Sequence, residues 1–135
     1  MDKEVFTADL EQRLFGKMPH INFDKAIRKI GVDIENKQTD SNHGPCIFFA
    51  EESSELQEIL TRIVRGRIDK DDYDLYQEMA DVLIVIDNIK EWLQMDEEKL
   101  KYAIDVKLNR FMKANDLHYN YERGQIEYGS KEESL

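Results

Sequence analysis

The chain has 135 residues, of which 41% are hydrophobic and 36% charged, enough apolar material for the core of one domain and too much for a disordered chain. A net charge of −10 excludes nucleic acid or an anionic membrane as the main partner, although an acidic protein still binds an acidic nucleotide when divalent cations sit between them. The single cysteine, Cys46, excludes an internal disulfide; with a charged start at Met1–Glu4 and no apolar run longer than five residues, it predicts a cytoplasmic protein with no membrane span.

With only 6 glycines and 2 prolines, long helices are easier to build than tight-turned sheets. Phe6, Leu10 and Leu14 recur every four residues, with a candidate N-cap region at Thr7, and predict a short leading helix ending near Gly16 to Pro19. Phe23, Ala26, Ile27, Ile30 and Ile34 predict a second helix from Asn22 to about Lys37, followed by a loop through Gly44-Pro45. A long helix is expected from Cys46 to Arg65, stopped by Gly66, and the next from Tyr73 to Leu93. Asp96 caps a last helix running to about Asn115. The expected architecture is an all-α bundle of four to five helices in a single domain, 1–117, completed by homo-oligomerisation because one chain of this size buries only a modest core. Residues 118–135 are expected to form an extended or flexible tail, with a short strand at Gln125–Tyr128.

The chemistry shows in the phase of the charged residues. Each helical residue turns about 100°. With Leu56 at zero, Phe49, Ile59, Leu60, Ile63 and Val64 lie within about 80°, and Glu52 falls inside that stripe at about −40°. Glu55 lies at its edge and Glu51 just beyond. With Leu75 at zero on the following helix, Met79, Val82, Leu83, Ile86, Ile89 and Leu93 form the stripe, and Glu78 sits inside it at about −60°, with Asp81 at the edge. Two consecutive helices thus each place an i, i+3 carboxylate pair on or beside the buried face. Such pairs can converge on one ion, and hard oxygen ligands suit Mg²⁺, Mn²⁺ or Ca²⁺. On the last helix, Leu100, Ile104, Phe111, Ala114 and Leu117 form a stripe with Lys107 in its middle and Arg110 at its edge, a pair suited to a polyphosphate.

These residues resemble a known family. Glu51-Glu52-Ser53-Ser54-Glu55, followed after 22 residues by Glu78-Met79-Ala80-Asp81, is similar to the EExxE…ExxD pattern of MazG-like proteins in the all-α nucleoside triphosphate pyrophosphohydrolase superfamily. Lys107-Leu108-Asn109-Arg110 resembles the basic K-x-x-R segment of many members, and the match covers 47–113. The resemblance implies Mg²⁺ (or Mn²⁺), a homodimer or homotetramer, and attack of water on the α-phosphorus of a (d)NTP to give the monophosphate and pyrophosphate. It implies Glu52, Glu55, Glu78 and Asp81 as metal ligands, and Glu51 as an outer ligand or water-orienting group. Glu52 or Glu55 would take the water's proton, while Lys107 and Arg110 would hold phosphates. Asn88, two turns after Asp81 on the same face, and Trp92, one turn further, are candidates for base or sugar contact.

Three other readings compete. One is a non-enzymatic acidic helical module that binds a partner, in which the inward carboxylates tolerate Gln and Asn. Another is a family member that binds nucleotide without turnover. A di-iron bundle would need Glu-x-x-His on its helices, and none of His20, His43 and His118 follows a Glu by three.

Overall fold

The computed structural model describes residues 3–14 and 19–129. Among them are five helices, α1 (Lys3–Leu14), α2 (Lys25–Thr39), α3 (Gly44–Val64), α4 (Tyr73–Trp92) and α5 (Glu97–Ala114), and two short strands, β1 (Leu117–Asn120) and β2 (Gln125–Tyr128). The chain is thus all-α apart from one hairpin, as its periodicity predicts. No helix of the described residues is long and apolar enough to cross a membrane. The contacts divide the chain into two compact units, Met1–Gln94 and Met95–Leu135.

Helix ends follow local chemistry. Asp24 caps α2 by accepting from Ile27 N at 3.1 Å, and Asp72 caps α4 by accepting from Asp74 N at 2.8 Å. Asp96 accepts from the amides of Glu98 and Lys99, the cap expected for α5. Gly66, at φ +70°, stops α3 by donating to Ile63 O while Arg67 N bonds Arg62 O. Thr7 is not a cap: α1 begins four residues earlier, and the Thr7 hydroxyl donates to Lys3 O at 2.8 Å within the helix. The expected end of this helix near Gly16, and the side chains of Leu10 and Leu14, lie outside the described residues.

α3 starts two residues before the expected Cys46. Pro45 falls in its first turn, where a missing N–H costs nothing, and Gly44 N donates to Asn36 Oδ1 at 2.8 Å, fastening the start of α3 to α2. In the first unit α3 and α4 pack on each other and α2 packs on both. The apolar centre is Ile59, Val82 and Val85, with Pro45 buried where α2 meets α3.

Val85 lies outside the stripe expected on α4, and the difference is one of phase. The buried residues Val82, Val85 and Asn88 centre about 90° from the middle of the whole expected stripe, of which Met79, Leu83 and Ile86 are exposed. The same lean occurs on α3, where Ile59 is buried and Leu60 and Val64 are not. Each helix therefore turns inward the edge that carries its carboxylates.

Two polar residues are also buried. Asn88 Nδ2 donates to Glu35 Oε1 at 2.6 Å, linking α4 to α2. Gly31 admits this pair, because a Cβ there would come within 2.8 Å of Asn88 Oδ1 and 2.9 Å of Nδ2. Gly31→Ala should accordingly destabilise the protein by about 1–3 kcal/mol, read as a lowered denaturation midpoint. An unchanged midpoint would show that the Asn88 amide has room to move aside.

In the second unit α5 has no buried residue. The strand expected at Gln125–Tyr128 is β2, and its antiparallel partner β1 is one the alternation of the tail did not suggest. Asn120 organises the turn between them by accepting from Glu122 N and Arg123 N, and Gly124 supplies the left-handed residue at φ +63°.

Candidate metal centre

The four carboxylates arise from two helices of the first unit. Glu52 and Glu55 are one turn apart on α3, and Glu78 and Asp81 one turn apart on α4. Because α3 and α4 pack along the edges that bear them, the pairs meet. Oxygens of Glu52, Glu55 and Glu78 all lie within 4.8 Å of one another. Asp81 joins them through a hydrogen bond shared with Glu52. Glu52 and Glu78 are half-buried, whereas Glu55 and Asp81 are exposed, so the cluster opens to solvent on one side.

Its electrostatics are those of a site short of positive charge. Burial raises the carboxyl of Glu52 to about 7, helped by the negative charges of Asp81, Glu55 and Glu78 and by a hydrogen bond with Glu55. Glu78 is raised by burial, then by its hydrogen bond with Glu55 and the charges of Glu55, Asp81 and Asp74. Asp81 is raised by burial and by the charge of Glu55, against the lowering effect of the Glu52 hydrogen bond. Glu52 Oε2 and Glu78 Oε2 are both buried with no hydrogen-bond partner among the described residues. A buried, partnerless carboxylate oxygen is costly. Two of them beside a third carboxylate form an all-oxygen donor set that fits a hard divalent cation.

These shifts carry a sign for stability. Each folded value lies above the unfolded one, so the folded protein holds more protons than the unfolded chain. The stabilisation is complete below about pH 4.5 and is lost as the pH rises through the folded values, about 7 for Glu52. In EDTA the melting temperature should therefore be higher at pH 5 than at pH 8. Glu35, raised by burial against the lowering effect of its Asn88 hydrogen bond, acts in the same direction. A melting temperature that rose with pH over this range would contradict the arrangement.

The other residues singled out in the sequence lie elsewhere. Glu51 is exposed on α3 next to Glu52. Asn88 shares the α4 face of Asp81, as its spacing requires, but is almost wholly buried against Glu35 and Gly31. Trp92 is half-buried, donates its indole N–H to Asn42 O at 3.1 Å, and has its ring centroid 6.0 Å from that of His43. Lys107 and Arg110 are exposed on α5, in the second unit. Two contributors carry little signal in the sequence. Asp74, in the first turn of α4, adds to the field on Glu78. Glu35 is signalled only by Gly31, one turn earlier, since glycine inside a helix often marks a close approach.

In comparison with known proteins, the chain matches no protein-family model, and neither a curated protein nor a solved structure shows significant similarity to it.

Proposed function

We propose that this protein is a Mg²⁺-dependent hydrolase that converts (deoxy)nucleoside triphosphates to the monophosphate and pyrophosphate, with MazG-like proteins as its relatives. The observation that carries the reading is the convergence of Glu52, Glu55 and Glu78 from two helices, with two of their oxygens buried and partnerless. Glu52, Glu55, Glu78 and Asp81 would hold the metal. Bound Mg²⁺ supplies charge neutralisation for the triphosphate and lowers the pKa of a coordinated water. The chain's own part is to present oxygens from rigid helices and to take a proton. Glu52 or Glu55 serves as that base, and Glu51 flanks them. Lys107 and Arg110 keep a phosphate-binding role on the strength of the resemblance, and Trp92 a role toward base or sugar on the helix phase alone, whereas Asn88, buried against Glu35, joins α4 to α2 and does not face a nucleotide.

Self-association belongs to the same proposal. The uncovered half of the α3 and α4 stripes, with Leu60, Val64, Met79 and Leu83, is apolar and exposed in one chain. Surfaces of this kind are ordinarily covered by another subunit.

The test is a panel of (d)NTPs with Mg²⁺, scored for released monophosphate and pyrophosphate. Turnover should stop in EDTA and return with Mg²⁺ or Mn²⁺. Mg²⁺ should also raise the melting temperature by binding only the folded state. Turnover that survives thorough chelation would remove the metal from the mechanism. No turnover, with Mg²⁺ still raising the melting temperature, would favour a binding module.

A further inference from the structure

The hairpin of the second unit leaves one strand edge open. Along an antiparallel pair, residues that exchange two main-chain bonds alternate with residues that exchange none. The bond from Gly129 N to Asp116 O, 2.7 Å, sets the phase. In the observed register His118 faces Glu127 and Asn120 faces Gln125, and these are the exchanging pairs. Leu117 and Tyr119 fall between them and turn their N–H and C=O groups away from β2. Those groups bond nowhere else among the described residues.

A groove of about 470 Å³ runs along that outward edge, with Met112 and Lys113 of α5 on one side and Leu117 and Tyr119 of β1 on the other. Asn109 and Tyr121 line it too, so β1 runs back beside the last turns of α5. The size of the groove selects its occupant. Four strand residues span about 13 Å, which gives the groove a mean cross-section of about 36 Å². A helix, about 10 Å across, needs about 80 Å², and a second sheet laid edge to edge would run into α5. One extended chain, about 4.8 Å wide, fits with part of its side chains in solvent. The lining selects the chemistry. Met112 and Leu117 are apolar and half-buried, and the exposed Lys113 makes no ion pair among the described residues. Asp116, the acid of the lining, belongs to the end where α5 passes into β1.

We propose that this groove is a docking site for an extended segment of another protein, which joins β1 as a third strand and carries an apolar and an acidic residue. Its main chain pairs with the N–H and C=O groups of Leu117 and Tyr119, making the four bonds that the hairpin leaves open. Its apolar side chain packs on Met112 and Leu117, and its carboxylate meets Lys113. The main-chain bonds supply affinity for any extended sequence, and the two side-chain contacts supply the selectivity. An open strand edge is a liability that proteins normally cover, and α5, which buries no residue of its own, is covered by the same event. The inference is independent of the hydrolase reading.

The experiment offers the full chain, immobilised, a pool of random heptapeptides that are acetylated and amidated, so that no charged terminus takes part. The wild type should retain a subset rich in Asp and Glu. Lys113→Glu, a change at an exposed position, should retain a subset poor in them. Tyr119→Pro removes an N–H that β2 does not use, so the hairpin survives while the retained peptides should bind about tenfold more weakly. A second measurement leaves the protein unaltered. Retained peptides resynthesised with single N-methyl groups should lose binding when alternate residues are methylated and keep it when the residues between are, because only every second residue of a paired strand faces β1. Retention of no peptide, unchanged affinity in folded Tyr119→Pro, or indifference to N-methylation at every position overturns the proposal. So does an acidic preference that persists in Lys113→Glu. Should Tyr119→Pro fail to fold, the methylated peptides decide.

Discussion

Glu78→Gln should lower (d)NTP turnover by about two orders of magnitude or more, the several kcal/mol expected when a catalytic metal loses a ligand. The same substitution should leave the metal-free protein equally or more stable. Glu78 lies against the Glu55 carboxylate and in the field of Asp81 and Asp74, and its own carboxyl is raised as a result. A neutral amide removes that repulsion, and its N–H group can donate to Glu55. If the carboxylates were merely structural and neutralised by a buried cation, removing one partner would strand the other, at a cost of about 3–5 kcal/mol. The metal-free denaturation midpoint separates the two readings by sign. A strongly destabilised Glu78→Gln protein that still turned over (d)NTPs when folded would remove Glu78 from the site, and most of the proposed function with it.

Gly44→Ala should be the most damaging of the small substitutions, at about 3 kcal/mol or more, at the upper end of the overpacking range, or about 10 °C in melting temperature. A Cβ at this position would lie 2.5 Å from Glu35 O and Asn36 N, and closer still to Glu35 C. Those are backbone atoms of α2, so no rotamer change relieves the clash and the two helices must separate. Separation also breaks the bond from Gly44 N to Asn36 Oδ1 and uncovers Pro45, which is fully buried. The local control is Gly66→Ala. Gly66 has φ +70°, but no atom lies within 4 Å of the place its methyl would take, so only the left-handed strain remains, about 1–2 kcal/mol. Equal losses at the two positions would show that conformational strain, and not the close approach of α2 and α3, governs Gly44.

Much of this protein follows from the sequence without a partner element in view. The helices α2 to α5 lie within two to three residues of where apolar spacing, the Gly66 stop and the Asp96 cap put them, because those signals act within one or two turns. The inward placement of Glu52 and Glu78 follows in the same way, from the rotation of about 100° per residue. What the sequence could not decide is which edge of each wide apolar stripe is buried. Periodicity draws the stripe, but the neighbouring helix selects Val85 over Leu83 and brings Asn88 against Glu35. The early start of α3 depends on Asn36, eight residues before Gly44, through a hydrogen bond and a close backbone approach that exist only once α2 and α3 pack. The register of β1 against β2 is likewise a property of the pair, since a four-residue strand has too few positions for alternation to reveal it. The meeting of Glu52, Glu55 and Glu78 within 4.8 Å belongs to the same class. Phase aims each side chain, but only the packing of α3 on α4 sets the distance, and distance determines whether separate surface acids become one shared, strained cluster.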